Sequence, residues 1–309
     1  MGNLATMLEL RPQRPPKSAA RKLLGPGYRF LRNYLFYDLL LYPYAQAQYR
    51  KNLAEKKRSD SHTYTSFYRV PSQLEALTAR VIPWLTGGDQ PPELTINVFA
   101  CSTGAEAYTI ASEIMRVHPH LPFKVYASDL HDETVAQGMA ATYSPDEVFH
   151  NPDIPDAFVT RTFDLVDGRF IVKPQIRARI EFSRADLLDP ALAEQFVPAD
   201  IVLAQNVFCH LYPQDATRAF TNVLKTAKSR AAFLIDGMQL ELKEQLTIKA
   251  QLEPLDFKCR EIYSYARKHG SKKWWTKYHG TEPYLPWRPN HLRRYGTVFL
   301  RGASQSGKA

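Results

Sequence analysis

The sequence of 309 residues contains only three cysteines, Cys101, Cys209 and Cys259, and no two of them have the spacing of a metal clamp. Disulfide-stabilised scaffolds carry many more cysteines, so we exclude that class, predict no metal site and expect a reducing, cytoplasmic compartment.

Long apolar runs are also missing. The most apolar segment, YLFYDLLLYPY, is interrupted by Asp38 and Pro43 well short of the roughly 18 apolar residues of a membrane span. We therefore predict neither a transmembrane helix nor a cleaved signal sequence.

Acidic residues are scarce at both ends of the chain. Residues 1–60 contain 12 Lys and Arg against 4 Asp and Glu, residues 258–309 contain 12 against 2, and the middle contains 16 against 25. The basic ends either contact an anionic surface, such as an acidic protein, anionic lipid or nucleic acid, or they neutralise the acidic middle. A hydrophobic content of 44% is typical of a folded globular protein and excludes global disorder.

Three regions follow from the composition along the chain. Residues 1–26, with RPQRPP and GPG, predict a basic irregular arm. Residues 27–75 predict a small N-terminal helical domain and a linker, because aromatic and aliphatic residues recur there at helical spacing. That helical segment either packs on its own domain or lies on a membrane surface. Residues 76–309 predict the main domain.

The main domain begins with short apolar runs that alternate with helical segments. The runs are LTINVFA, FKVYASD, ARIEFSRAD, ADIVLAQN and AAFLID, and a last strand, GTVFL, follows near the C-terminus. This alternation predicts an α/β, Rossmann-like fold with a largely parallel sheet. We expect two insertions, a β-hairpin at about 157–176 that turns at Asp167–Gly168 and a basic aromatic segment at about 268–295.

The stretch NVFACSTGAEAYTIASEI reads as a strand, a turn and a helix, with small residues throughout the turn. Such a turn lets a ligand approach the backbone N–H groups and the positive end of the helix. The small residues run from Ala100 through Thr103 to Gly104. The glycine pattern GxGxxG is absent, so a dinucleotide fingerprint is not present.

Polar residues follow four of the predicted strands. Asp129 either accepts hydrogen bonds from the two ribose hydroxyls of a nucleoside or caps the next helix, a role that Asp132 could also fill. Asp186 could accept from an adenine amino group, and Asn206 and His210 follow the fourth strand. Because the carboxyl ends of parallel strands meet at one edge of the sheet, these residues predict a nucleoside-bearing cofactor.

Six motifs together resemble the S-adenosylmethionine-dependent methyltransferases of the chemotaxis receptor glutamate methyltransferase (CheR-type) family. They are HTYTSFYR, ACSTGAEAYTIA, ASDLHDE, GMAATYSPDEV, FSRADLL and QNVFCHL, in the family's order over about residues 62–240. The resemblance implies a Rossmann-like class I methyltransferase domain with a small N-terminal helical domain and a short β-hairpin insertion. It also implies S-adenosyl-L-methionine as the cofactor.

The resemblance further implies roles for individual residues. Glu106 and Asp129 would hold the amino-acid part and the ribose of the cofactor. Arg69 would reach the site from the linker, where it would orient a carboxylate acceptor or bind the cofactor's carboxylate. The remaining cofactor-binding residues implied are Thr63, Thr65, Ala100, Thr103, Gly104, Asp186, Leu187, Gln205 and Asn206.

The sequence departs from the family pattern at several of these positions. It has Ala105-Glu106 where the family has two adjacent acids, Asp186 where the family has Asn, Gln205 where it has Arg, and His210 where it has Tyr. The hairpin also lacks the family's Arg-Gly-x-Gly character. His210 is either a general base for a hydroxyl or amine acceptor or a structural histidine.

The expected activity is methyl transfer to an oxygen acceptor, with a protein glutamate carboxylate as the first choice. The alternatives are a small-molecule O-methyltransferase and a degenerate methyltransferase fold that binds the cofactor or a partner without turnover. Nucleic-acid methylation is a third alternative, because basic residues alternate with aromatic ones in SKKWWTKYHGTEPYLPW. We favour a lid over the site for that segment.

Overall fold

The computed structural model describes residues 4–12, 47, 65–87, 93–269 and 284–302. Several predictions lie outside these residues: Thr63, most of the basic arm and of the N-terminal helical domain, and residues 270–283 of the basic aromatic insertion. Among the helices in the described ranges, none combines the length and the apolar character needed to cross a membrane.

The described residues form ten strands in two sheets. Numbered along the chain, they are β1 Leu94–Phe99, β2 Phe123–Asp129, β3 Thr142–Tyr143, β4 Phe163–Val166, β5 Arg169–Val172, β6 Ile180–Arg184, β7 Ala199–Gln205, β8 Ala227–Asp236, β9 Glu253–Pro254 and β10 Val298–Arg301. The larger sheet has the order β6-β2-β1-β7-β8-β10-β9. Its first five strands are parallel, and β10 is antiparallel to both of its neighbours. The predicted α/β, Rossmann-like fold is confirmed, and each predicted strand is present.

Helices flank the sheet. In the described ranges they are α1 Leu4–Glu9, α2 Pro71–Ala76, α3 Ile82–Thr86, α4 Ala105–Val117, α5 Asp132–Ala140, α6 Pro145–Val148, α7 Asp156–Thr162, α8 Pro174–Arg177, α9 Pro213–Lys225, α10 Leu240–Lys249, α11 Cys259–His269 and α12 His291–Tyr295. A π-helical turn, Leu77–Val81, joins α2 to α3. The first residues of the segment predicted to be a mostly irregular arm form the helix α1. Met7 is buried, and Arg11 donates to Asp156 Oδ1 at 2.6 Å.

Both faces of the parallel part of the sheet are covered. Ile96 and Val98 belong to one apolar cluster together with residues of α4, whereas Phe99 belongs to a second cluster that includes residues of α9. Alternate residues of a strand point to opposite faces, so a strand covered on both faces is buried along its whole length. All six residues of β1 are buried accordingly.

The predicted hairpin is formed by β4 and β5, which turn at Asp167 and Gly168 with φ of 49° and 73°. Positive φ at both central residues is the geometry that an Asp-Gly turn favours. The short strand β3 pairs with β5 and makes a three-stranded sheet that the sequence did not predict. Phe67 packs edge-on against Phe163 with ring centroids 5.0 Å apart. This contact fixes the segment that carries Arg69.

Candidate functional site

The loop between β1 and α4 needs small residues because three of its residues have left-handed backbone geometry. Ala100, Ser102 and Gly104 have φ of 53°, 50° and 86°. A Cβ atom on Gly104 would lie 2.8 Å from Cζ of Phe182, closer than real Cβ contacts. Left-handed geometry is costly for residues with large side chains, and close packing excludes one at Gly104. The small residues therefore serve both backbone conformation and packing.

Hydrogen bonds from neighbouring elements hold this loop in place. The Oδ2 atom of Asp129 accepts from the backbone N–H of Ser102 at 2.8 Å, and its Oδ1 atom accepts from the N–H of His131 at 3.3 Å. The hydroxyl of Tyr143 donates to the carbonyl of Thr103 at 2.6 Å. Asp129 is buried, so the end of β2 is bonded directly to the loop after β1.

Glu106 lies in the first turn of α4, where the positive end of the helix dipole favours a carboxylate. Burial nevertheless raises the pKa of Glu106 from its ordinary value of 4.5 to about 7. The positive charge of Arg69 lowers this pKa, and the negative charge of Asp236 raises it. The carboxyl group is therefore poised to lose its proton when a cation binds beside it.

Arg69, Glu106 and Gln205 line one cavity together with Gln73. The rest of the lining is mostly apolar and consists of Ser66, Val70, Leu74, Thr109, Ile110, Leu203 and Leu234. The linker, the start of α4 and the end of β7 thus meet at one place. Three of the site residues implied by the resemblance are brought together here, whereas Gln73 was not predicted.

Gln73 connects this cavity to the C-terminal part of the chain. The Nε2 atom of Gln205 donates to Gln73 Oε1 at 2.8 Å, and Gln73 Nε2 donates to Thr297 Oγ1 at 2.8 Å. Its partners are 132 and 224 residues away in the sequence. A single glutamine in the six-residue helix α2 carries no local signal of such a role.

Asp186 and Leu187 lie just after β6 and are not part of the cavity lining. The Oδ1 atom of Asp186 accepts from the N–H of Leu188 at 2.9 Å, which fixes a local turn. Asn222 of α9 donates to the carbonyls of Leu187 and Asp189, at 3.0 Å each. These bonds hold the loop at the same edge of the sheet as Asp129.

Asn206 directly follows β7 and has a positive φ of 55°. Its N–H donates to the carbonyl of Asp236 at 2.9 Å, and a Cβ atom on Gly237 would lie 2.5 Å from Asn206 Cα. His210 ends the 3₁₀ helix Phe208–His210 and is half-buried. Thr65, at the start of the described linker, is also half-buried.

The cavity lining carries groups suited to a cofactor that has an amino-acid end. Glu106 offers an acceptor-only carboxylate to an ammonium group, and Arg69 offers planar N–H donors to a carboxylate. Burial is the main cause of the raised pKa of Glu106, so a cation bound beside this group would favour its carboxylate form. Asp129 retains acceptor capacity for ribose hydroxyls, because each carboxylate oxygen has two lone pairs.

A family model described as "CheR methyltransferase, SAM binding domain" matches residues 63–255. "Chemotaxis protein methyltransferase 1" of Pseudomonas aeruginosa is 29% identical over 154 residues, which cover 47% of this chain and 54% of that protein. "Probable biofilm formation methyltransferase WspC" of the same organism is 24% identical over 200 residues, 63% of this chain and 46% of that protein.

Another similar protein is an "Uncharacterized 104.1 kDa protein in hypE 3'region" of Rhodobacter capsulatus. It is 26% identical over 214 residues, which cover 67% of this chain and 22% of that protein. The chain therefore spans less than two thirds of each of these relatives. A solved structure of magnesium protoporphyrin IX methyltransferase from Synechocystis PCC 6803 with bound SAM is 12% identical. The superposition covers 60% of this chain and 71% of that chain, and its TM-score is 0.34.

The family match includes more than half of the chain. It begins before Arg69 in the linker and includes the helix that carries Glu106 and the strands that end at Asp129 and Gln205. S-adenosylmethionine is the cofactor of this domain. The chain belongs to the CheR methyltransferase family and contains the SAM-binding domain of that family.

Proposed function

We propose that this protein is an S-adenosylmethionine-dependent methyltransferase that methylates an oxygen atom, namely a glutamate carboxylate of an acidic protein. The observation that carries the proposal is the cavity in which Arg69, Glu106 and Gln205 meet. Its site residues lie within the region that matches the CheR family. Two relatives named for chemotaxis and for biofilm formation support a signalling protein as the substrate.

When bound, S-adenosylmethionine supplies an electrophilic methyl group attached to a sulfonium. Transfer of such a group requires an aligned acceptor and exclusion of water. Glu106 would bind the ammonium group of the cofactor. The apolar lining from Val70, Leu74 and Leu203 would keep water away. Asp129 would hold the ribose while its bond to Ser102 keeps the loop in shape.

A carboxylate acceptor is already an anion, so it needs orientation and does not need a base. Arg69 can orient it, because a guanidinium group binds both oxygens of a carboxylate. The second candidate is a hydroxyl acceptor, on a small molecule or a protein. It is favoured by one observation, the half-buried His210 just beyond β7, where an imidazole could take the proton that a hydroxyl loses.

The test starts with calorimetric titration of the folded protein with S-adenosylhomocysteine, followed by incubation with methyl-labelled S-adenosylmethionine and fractionated cell extract. We expect binding of S-adenosylhomocysteine and incorporation of label into protein. Mild alkali should release this label as methanol, because carboxylate methyl esters hydrolyse and methyl ethers do not. The variant Arg69→Gln should lose label transfer. The matched control Arg80→Gln should retain it, because Arg80 stacks on Phe257 and does not line the cavity.

Each part of the proposal has its own negative result. Absence of binding by a folded preparation would overturn the assignment of the cofactor site. Binding without transfer to any fraction would favour a binding module. Alkali-stable label in small molecules or RNA would replace the protein carboxylate with another acceptor.

A further inference from the structure

A line of buried polar groups connects the C-terminal segment to the cavity. Lys243 Nζ donates to the carbonyl of Gly296 at 2.7 Å, and Thr297 follows directly in the chain. Thr297 Oγ1 accepts from Gln73, and Gln73 Oε1 accepts from Gln205. Lys243, Thr297 and Gln73 are only 2%, 3% and 4% exposed. A buried polar side chain costs free energy unless it forms hydrogen bonds. These bonds therefore favour a single arrangement of the side chains.

The anchor at Thr297 is rigid. Its carbonyl accepts from the N–H of Ile235 in β8 at 2.7 Å. The N–H of Gly296 donates to the carbonyl of Leu292 at 2.8 Å, and a Cβ atom on residue 296 would lie 2.3 Å from that oxygen. The hydroxyl that receives Gln73 is therefore held by the sheet on one side and by the end of α12 on the other.

Gln205 needs such a partner because a primary amide has two ends. Its oxygen only accepts hydrogen bonds and its nitrogen only donates, yet rotation by 180° exchanges them with little change in shape. The CheR family has an arginine at this position. All nitrogens of a guanidinium group carry N–H donors, so an arginine needs no neighbour to fix which of its groups faces the ligand. A glutamine presents one defined group to a ligand only if a neighbour binds the other.

We propose that Gln73 is a positioning residue of the cofactor cavity. By binding the amide of Gln205, it holds that side chain in the cavity wall, where Gln205 Oε1 would be a second acceptor beside Glu106 for the ammonium group of the bound cofactor. This inference rests on the proposed function, because it assumes that the cavity binds S-adenosylmethionine. A neutral acceptor suits the place, since Glu106 and Asp236 already supply negative charge there.

The test is a double-mutant cycle measured by titration with S-adenosylhomocysteine. The proteins are the wild type, Gln73→Leu, Gln205→Leu and the double variant. We expect each single change to weaken binding about tenfold, and the double variant to bind about as weakly as Gln205→Leu alone, because both changes remove the same interaction. Gln137→Leu is the matched control. That glutamine donates to Glu147 at 2.8 Å and does not line the cavity, so its loss should change affinity less than twofold.

A conservative variant separates positioning from packing. In Gln73→Glu, burial beside Glu106 and Asp236 should keep the new carboxyl group neutral. Its C=O can then accept from Gln205 and its O–H can donate to the Thr297 hydroxyl, so affinity should stay within about threefold of wild type. Thr297→Val removes the anchor with little change in size and should weaken binding at least threefold. It also serves as the test if Gln73→Leu does not fold, as judged by thermal unfolding.

The outcomes distinguish this inference from the proposed function. Wild-type affinity in Gln73→Leu, or losses that add fully in the double variant, would overturn the positioning role while leaving the cofactor site intact. Absence of binding by the folded wild type would overturn the proposed function, and this inference with it.

Discussion

The ring of Phe182 occupies the space that a side chain on Gly104 would need. A Cβ atom at Gly104 would lie 2.8 Å from Phe182 Cζ, and a Cβ atom at Gly138 would lie 2.7 Å from Phe182 Cε1. Phe182 also packs against Tyr108, with ring centroids 5.6 Å apart. One aromatic residue of β6 thus contacts both the loop that starts α4 and the helix α5.

We expect Gly104→Ala to destabilise the protein by about 2 to 4 kcal/mol. Left-handed geometry costs an alanine about 1 kcal/mol, and the contact with Phe182 adds about 1 to 3 kcal/mol of overpacking. Gly168→Ala is the matched control, because Gly168 has a similar φ of 73° with no atom within 4 Å of its Cβ position. It should cost about 1 kcal/mol in urea denaturation. Equal losses in the two variants would show that Phe182 does not restrict this position.

Asp129 should contribute separately to the loop and to cofactor binding. Asp129→Ala leaves the N–H of Ser102 without its acceptor and should cost about 1 to 3 kcal/mol of stability. Asp129→Asn keeps an acceptor oxygen for that N–H, so most of the stability should remain. Its affinity for S-adenosylhomocysteine should still fall about tenfold, because an amide has fewer acceptor sites for ribose hydroxyls.

The control for Asp129 is Asp132→Asn, since the side chain of Asp132 is 82% exposed. Its affinity and its urea midpoint should both match wild type. Unchanged affinity in Asp129→Asn, measured by the same titration, would refute a ribose-binding role.

The pH dependence of binding should report on Glu106. Its pKa of about 7 in the folded protein means that below pH 7 the group must lose a proton before it binds an ammonium group. Affinity for S-adenosylhomocysteine should therefore rise about fivefold from pH 6 to pH 7 and about twofold more above pH 7, and level off above about pH 8. Glu106→Gln should bind weakly with a flat profile. A rise in wild-type affinity as the pH falls would contradict this assignment.

The same carboxyl group should influence stability with a defined sign. Because its pKa is higher in the folded state than the ordinary value of 4.5, the folded protein holds an extra proton between pH 4.5 and 7. Its contribution to stability is therefore complete below pH 4.5 and is lost as the pH rises through 7, by on the order of 3 kcal/mol. Glu106→Gln should remove this part of the pH dependence and be the more stable protein at pH 8, as measured by thermal unfolding.

His210 provides a test of the acceptor. With a carboxylate acceptor no proton is lost, so His210→Gln should keep kcat within about threefold and leave affinity for S-adenosylhomocysteine unchanged. A loss of 10²-fold or more in kcat would indicate a general base and hence a hydroxyl or amine acceptor.

The strands could be predicted from the sequence because each is a short apolar run that ends in polar residues. The hairpin was equally evident, since Asp167-Gly168 encodes its turn locally. Part of the site could also be predicted from the sequence. Glu106 lies in the turn-and-helix motif after β1, and Asp129 is the last residue of β2, so the local sequence indicates both positions.

Long-range contacts could not be predicted in this way. Gln73 acts through residues more than a hundred positions away, and nothing in its own helix marks it. The helix α1 was likewise missed, because prolines and basic residues dominate the surrounding sequence. The residues that follow it contact distant parts of the chain. The Arg11 guanidinium lies 5.1 Å from the ring centroid of Phe149, and Arg11 donates to Asp156.

The position of β10 has a consequence for synthesis of the protein. Because β10 lies between β8 and β9, a nascent chain that has emerged only as far as β9 leaves β8 with an open edge and β9 with no strand to pair with. Open edges invite pairing with other chains. Thr297 emerges just before β10, so the support for Gln73 also comes late. We expect ribosome-bound chains stalled before β10 is exposed to aggregate readily and to bind the cofactor more weakly, and emergence of β10 from the exit tunnel to remove both defects.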